Sequence, residues 1–457
     1  MRHSFDAIVV GAGQAGPSLA VELANAEWKV AMVERKLFGG TCVNSGCTPT
    51  KAMVASAHAA HLARRSREFG VNAGPVSVDM RAVKARKDAI VMKSRTGVEG
   101  WLHGTTNCAV FTGTASFESS NIMRVGDDLL DAPHIFLNVG ARPTVPDMTG
   151  VDSVPFLTST TILDLEDLPQ HLVVIGGGYV GLEFAQMFRR FGSLVTVVDK
   201  NARLAQNEDE DSSKVIHEVF KSEGIQIRLN ATCIHIEQRG DQVLAGLDCK
   251  EDSPHVIGSH ILLAVGRKPN TDDLNLAAAG IQTDEHGFIP VDDQLQTNTP
   301  GVFALGDCNG RGAFTHTSYN DFEIVAANLV KGENRRVSDR IPVHALYIDP
   351  PLAHLGMSEA QVRDRGLPAL IGMRPMIKVS RAIEKGETYG FIKILVDAET
   401  RHILGATVFG TGGDEAVHCI LTAMYARQPA SLLTHSVHIH PTVAELIPTV
   451  LGALKPL

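Results

Sequence analysis

Apolar residues in this chain arrive in short blocks, and twice those blocks build the same unit. Phe5-Asp6-Ala7-Ile8-Val9-Val10 reads as a strand. Gly11-Ala12-Gly13-Gln14-Ala15-Gly16 follows, then a helical stretch to about Ala26, then the strand Lys29-Val30-Ala31-Met32-Val33 closing on the acid Glu34. The pattern returns 165 positions later. Leu172-Val173-Val174-Ile175 leads into Gly176-Gly177-Gly178-Tyr179-Val180-Gly181, a helix is predicted from Leu182 to about Phe191, and Leu194-Val195-Thr196-Val197-Val198 closes on Asp199. Each unit is a βαβ fold with a G-x-G-x-x-G turn, the context in which that motif binds a dinucleotide. The first glycine (Gly11, Gly176) permits the tight turn and the second (Gly13, Gly178) lets a pyrophosphate reach the backbone. The third (Gly16, Gly181) lets helix and strand pack closely. The helix N-terminus turns unpaired N–H groups toward the phosphates, and the terminal acid can accept from a ribose. Two dinucleotide sites are therefore expected.

Further apolar runs end in Asn138-Val139-Gly140-Ala141-Arg142-Pro143 and Ala264-Val265-Gly266-Arg267-Lys268-Pro269-Asn270. Phe314-Thr315-His316 opens a helix predicted through Leu329. From about Ile341, strands such as Gly390-Phe391-Ile392-Lys393-Ile394-Leu395-Val396 alternate with helices. The 457 residues suffice for two to four domains. A net charge of -9 gives no reason to expect nucleic acid or an anionic membrane as partner. No apolar run approaches the roughly 18 residues that span a bilayer, and the first strand begins almost at the initiator, so neither membrane span nor signal peptide is expected. The seven cysteines form no secreted-type framework. A reducing cytoplasm fits, with Cys108, Cys233, Cys249, Cys308 and Cys419 expected as small buried apolar residues. The acidic run Glu208-Asp209-Glu210-Asp211 is expected to be a solvated helix start, favoured by the helix dipole.

The remaining chemistry sits in Gly39-Gly40-Thr41-Cys42-Val43-Asn44-Ser45-Gly46-Cys47-Thr48-Pro49-Thr50-Lys51. A disulfide between Cys42 and Cys47 would close too short a loop to contribute much stability, and short strained disulfides tend to be redox-labile. Half a zinc site or two unrelated thiols would give the same spacing, but no further ligands follow nearby; no metal is expected. The segment resembles the redox-active disulfide of the FAD-dependent pyridine nucleotide-disulfide oxidoreductases, the family of glutathione reductase, lipoamide dehydrogenase and mercuric reductase. The likeness covers nearly the whole chain. It is strongest to mercuric-reductase-like members that lack a C-terminal cysteine pair, notably around Asn309-Gly310-Arg311-Gly312-Ala313-Phe314-Thr315-His316-Thr317-Ser318.

That resemblance implies an α/β fold with two Rossmann-like domains, for FAD and NAD(P), plus a C-terminal α+β dimerisation domain. The FAD domain would comprise 1–149 and 271–336, the NAD(P) domain 150–270, and the dimerisation domain 337–457. Gly301-Val302-Phe303-Ala304-Leu305-Gly306-Asp307 resembles the family's second FAD motif, in which the acid holds the ribityl chain. FAD would thus touch Gly11, Gly13, Gly16, Glu34, Thr41, Lys51, Ala115, Asp307 and Thr315, the last at a helix N-terminus that favours a reduced, anionic flavin. NAD(P) would touch Gly176, Gly178, Tyr179, Gly181, Asp199, Cys233 and Gly266. Asp199 favours NADH by repelling a 2′-phosphate, although Lys200 and Arg203 could receive one in NADPH.

By the same resemblance, Cys42 is the interchange thiol and Cys47 the thiol facing the flavin. His440, in His438-Ile439-His440-Pro441, would be the base for Cys42, supplied by the other subunit of a homodimer and oriented by Glu445. Lys51 would lie near the flavin and pair with Glu183. Tyr179 would cover the nicotinamide pocket. Electrons would pass from NAD(P)H through FAD to the Cys42–Cys47 disulfide, and on to a small-molecule disulfide or a metal ion. Mercuric reductase and dihydrolipoyl dehydrogenase are the alternatives within the family. The C-terminal stretch lacks the vicinal cysteines of dedicated mercuric reductases, which argues against efficient Hg(II) reduction. A non-catalytic redox sensor, or a flavin NADH oxidase or transhydrogenase, would be readings of another class.

Overall fold

The structure of the chain, a computed structural model, describes residues 1–232, 234–248 and 254–457. Its first sheet has five parallel strands in the order Val302–Ala304, His134–Leu137, Ala7–Val10, Val30–Glu34 and Cys108–Thr112. Both faces of this sheet are covered, so its strands are continuously apolar rather than alternating. Ala7, Val9, Val30 and Met32 face helix Gly16–Asn25 through Leu19 and Leu23. Ile8, Val10, Ala31 and Val33 face a second layer through Phe117, Met123 and Leu130. That layer is a four-stranded sheet of Arg2–Ser4, Asp128–Asp131, Ile122–Val125 and Ala115–Ser119.

The second glycine-turn unit builds another five-stranded parallel sheet on the same plan. Its order is Leu157–Thr158, His260–Leu263, His171–Ile175, Leu194–Val198 and Gln226–Arg228. Helix Tyr179–Phe191 covers Leu172, Val174, Val195 and Val197 with Leu182, Phe184 and Phe188. An antiparallel meander of His235–Arg239, Gln242–Gly246 and His255–Gly258 covers Val173, Ile175 and Val198 on the other face. The helix begins three residues before its predicted start, because Gly178 is extended and Tyr179 already has helical pairing. The helix opened by Thr315 runs on to Lys331.

Strands Ala141–Pro143 and Arg267–Pro269 pair antiparallel where the chain passes between the two sheets. The third unit is a six-stranded sheet in the order Val343–Leu346, Leu352–Gly356, Ile403–Phe409, Phe391–Asp397, Ala369–Pro375 and Lys455–Pro456, backed by helix Gly413–Tyr425. The three units meet in one apolar cluster. Met53 and Ala57 of helix Cys47–Arg65, Phe184 and Phe188 of the second unit, and Leu346, Ile348 and Phe409 of the third all pack there. This junction fixes the cysteine helix against both other units.

Candidate active site

The two glycine turns are built alike. Gly11 has φ +101° and Gly176 φ +113°, and a Cβ at either would lie 2.3 Å from Asn138 O or 2.4 Å from Ala264 O. Only glycine fits such a turn. A Cβ on Gly16 or Gly181 would meet the carbonyl of Gly11 or Gly176 at 2.1 and 2.0 Å, so the helix can approach its strand only there. Each closing acid clasps its own turn. Glu34 Oε2 accepts from the Ala12 N–H at 2.8 Å, and Asp199 Oδ2 accepts from the Gly177 N–H. Glu34 also accepts from the Lys36 N–H, and Asp199 from the Asn201 N–H at 2.7 Å. Buried Asn138 holds the first turn from the neighbouring strand, accepting from the Gly16 N–H at 3.1 Å and donating to Leu305 O at 3.0 Å.

Both turns open into one continuous cavity of about 2120 Å³, large enough for two dinucleotides. Gly11, Gly13, Glu34, Thr41, Lys51, Ala115, Asp307 and Thr315 line one end of it, and Gly176, Gly178, Tyr179, Asp199 and Gly266 the other. A Cβ on Gly178 would meet nothing, which leaves backbone room for a phosphate. Gly16 and Gly181 act beneath the cavity floor through the close approaches described above. Burial raises the Asp307 carboxyl above the usual range, while Arg267, 3.6 Å away, opposes this. Cys233, expected near the second site, lies outside the described residues.

Cys42 and Cys47 are thiols here and line the middle of the cavity. Cys42 sits in the short helix Gly40–Ser45, and Cys47 is the first residue of helix Cys47–Arg65. Cys47 Sγ is 3.2 Å from Thr315 Oγ1, and Thr315 is the first residue of helix Thr315–Lys331. Two helix N-termini therefore converge on this sulfur, which favours negative charge. A hydrogen bond from Cys42 lowers the Cys47 pKa to about 6, helped by Thr315 and Lys51, while the Cys42 thiol is pushed up by the same bond and by burial. Of the two sulfurs, Cys47 is the one whose surroundings favour the thiolate.

One turn along that helix, Lys51 Nζ lies 2.8 and 2.7 Å from the two carboxylate oxygens of Glu183 and 4.6 Å from the Tyr347 ring centre. Glu183 is buried and also accepts from the Tyr347 N–H at 3.0 Å. His440 and Glu445 meet through Nδ1 and Oε2 at 2.9 Å. The His440 side chain is 73% exposed while that of Glu445 is mostly covered, and His440 is not among the residues lining the cavity that holds Cys42. Val437 and Ile439 beside it are exposed as well.

Comparison with known proteins decides the family. A model described as pyridine nucleotide-disulphide oxidoreductase matches residues 5–321, and one for the dimerisation domain of the same family matches residues 343–451. The chain belongs to the pyridine nucleotide-disulphide oxidoreductases. It is 33% identical to the pyridine nucleotide-disulfide oxidoreductase RclA of Escherichia coli strain K12, over 99% of this chain and all of that one. It is 32% identical to the mercuric reductase of Streptomyces lividans, over 97% of this chain and 94% of that one. It is also 32% identical to the dihydrolipoyl dehydrogenase of Geobacillus stearothermophilus, over 96% and 94%. The solved Cu(II) complex of the HOCl-induced flavoprotein disulfide reductase RclA superposes with a TM-score of 0.90 at 32% identity, covering 98% of this chain and 99% of that one.

The chain is thus an FAD-dependent NAD(P)H:disulfide oxidoreductase of the α/β class, carrying the family's dimerisation domain. The glycine cradles and the cavity between them fit FAD and a nicotinamide dinucleotide. Among the described residues no helix is long and apolar enough to cross a membrane, and no group of three metal-binding side chains is gathered. One expectation is overturned. The run 208–211 is not simply a solvated helix start, because Glu208 and Asp209 are buried. Buried Lys393 binds Asp209 at 2.8 Å and Asp211 at 2.7 Å, while Glu208 binds Tyr179 and His344. Sequence reasoning also missed His344, Tyr347 and the structural role of Asn138. An asparagine closing the apolar strand His134–Leu137 was the one local signal, since a polar residue there needs partners.

Proposed function

We propose that this chain is a homodimeric NADH-dependent disulfide reductase whose Cys42–Cys47 pair carries electrons to a small-molecule disulfide or a thiol-bound metal ion. The observation that supports it most directly is the placement of the Cys47 sulfur. It lies at the convergence of two helix N-termini, in the cavity that both dinucleotide turns share. Bound FAD would supply the two-electron relay between nicotinamide and sulfur. In this reading Gly11, Gly13, Gly16, Glu34, Thr41, Ala115, Asp307 and Thr315 hold FAD, while Gly176, Gly178, Tyr179, Gly181, Asp199 and Gly266 hold NADH. Lys51, fixed by Glu183, places a positive charge on the FAD side of the cavity. Cys47 is the thiolate that faces FAD, and Cys42 exchanges with the acceptor.

Exchange at Cys42 needs a proton acceptor, because its pKa is raised. His440 of a second copy, oriented by Glu445, serves that role. Asp199, with its carboxylate held beside the second turn, supports NADH over NADPH. The division into an FAD domain of 1–149 with 271–336, an NAD(P) domain of 150–270 and a dimerisation domain of 337–457 belongs to the same reading. The three sheets and the ribbon joining 141–143 to 267–269 support it. A reducing cytoplasm belongs to the same reading, since the seven cysteines form no secreted-type framework. Metal-ion acceptors are included because soft thiolates bind soft metals and because the solved relative is a Cu(II) complex.

The test is an anaerobic titration of the holoenzyme with NADH and then NADPH, followed by absorbance. A long-wavelength thiolate-to-flavin charge-transfer band at two-electron reduction supports the reading. Lipoamide, glutathione disulfide, Cu(II) and Hg(II) are then offered as acceptors. Bleaching of the flavin without that band takes the cysteines out of the path and leaves an oxidase or transhydrogenase.

A further inference from the structure

Tyr179 is the first residue of helix Tyr179–Phe191, directly after the second glycine turn. Its ring does not lie back on its own domain. It stacks on His344 at 5.5 Å between centres and tilts against Phe314 at 6.3 Å. Phe314 is the residue before Thr315, and Thr315 touches Cys47. The ring therefore lies at the second glycine turn on the lining of the shared cavity, where the family resemblance has it covering the pocket from which a nicotinamide reaches FAD. Its hydroxyl donates to Glu208 Oε1 and lies 3.0 Å from His344 Nε2. His344 Nε2 is in turn 2.7 Å from the same Glu208 oxygen. A carboxylate only accepts, so this nitrogen carries the hydrogen.

The three residues come from different places. Tyr179 follows the glycine turn, Glu208 precedes helix Glu210–Ser222, and His344 lies on strand Val343–Leu346 of the dimerisation domain. Glu208 cannot drift, because the next residue, Asp209, is tied to buried Lys393 and accepts from the Glu359 N–H at 3.0 Å. A buried carboxylate stripped of donors is costly, whereas one that keeps a charged or polar donor is tolerated. Both donors meet the same oxygen, Oε1, so losing one leaves that oxygen still hydrogen-bonded.

We propose that Glu208 holds Tyr179, which the family resemblance has covering the nicotinamide pocket, and that His344 keeps Glu208 paired when the ring swings away, so that the two residues form the latch of that cover. Neither residue touches the reacting atoms; both are positioning residues. His344 makes release affordable, because Glu208 stays hydrogen-bonded after the tyrosine swings away. The apparent affinity for the dinucleotide is then its intrinsic affinity reduced by the fraction of open molecules. The proposal rests on the nicotinamide entering at the Gly176–Gly181 turn.

Opposite signs test it. Tyr179→Phe keeps the ring and loses the tether, so the KM for NADH should fall about fivefold. His344→Phe keeps the ring stack but removes the second donor, so that opening strands Glu208; KM should rise about tenfold. Glu208→Gln should behave as Tyr179→Phe does, and combining the two should add nothing further. That pair decides the question if the His344 variant does not fold. Stopped-flow reduction of the bound flavin by NADH, with no disulfide present, is the readout on dimeric holoenzyme. With all three variants folded, KM shifts of one sign, or none, overturn the latch; with only the pair, it is overturned by an unchanged or raised KM in either variant, or by a further fall when the two are combined. Failure of the unsubstituted enzyme to be reduced by NADH overturns the function itself.

Discussion

Lys51–Glu183 and His440–Glu445 are both cation–carboxylate pairs, and they are built in opposite ways. The first joins two units of one chain, with Glu183 buried and given a third partner by the Tyr347 N–H. Folding alone completes it. The second links residues five apart in sequence, holds its histidine in solvent, and has the exposed apolar side chains of Val437 and Ile439 beside it. A pair whose histidine stands in solvent contributes little stability to the monomer. On the proposed assignment, the half of the site that handles the dinucleotides is complete in one chain, while the half that handles the acceptor is completed by a second.

Substitutions should separate these halves. Cys42→Ser should abolish disulfide turnover, by roughly a thousandfold or more, because in the proposed reading Cys47 faces FAD and Cys42 is the thiol that exchanges, while NADH still reduces the flavin. His440→Gln should slow the same half by about a hundredfold or more and leave flavin reduction nearly intact. Equal losses in both halves, measured by stopped flow, would erase the contrast. Glu183→Gln should act on the other side, slowing flavin reduction about tenfold. It should lower stability by about 1–3 kcal/mol, since Lys51 and the Tyr347 N–H lose a charged acceptor; chemical denaturation measures this. The smallest effect concerns pH. Cys47 has a depressed pKa of about 6, so its thiolate is present above that pH and is lost as pH falls through it. Lys51→Met should move this transition to higher pH, read from the ultraviolet thiolate absorbance of the reduced enzyme, while His440→Gln should leave it in place.

The glycine turns were legible because their constraint is local. Gly16 and Gly181 meet the carbonyls of Gly11 and Gly176 five positions back, inside the motif itself, whereas the contacts of Gly11 with Asn138 and of Gly176 with Ala264 appear only once the neighbouring strand is in place. Cys42 and Cys47 stood out by their spacing but took their roles from resemblance, as did Lys51 with Glu183, which 132 positions separate. The run from Glu208 to Asp211 was misread for the same reason. Its partners, Lys393 and His344, lie 184 and 136 positions away, and nothing local distinguishes a buried carboxylate from a solvated one. The apolar strands of both parallel sheets were readable as blocks, but their order was not, because register depends on which runs meet.

The exposed stretch around His440 ties the reaction to mass action. If the acceptor half exists only in the pair of chains, specific activity toward disulfides should fall as the enzyme is diluted through its dimer dissociation constant. The reduction of artificial dyes by NADH, which needs only one chain, should stay constant per molecule over the same dilution.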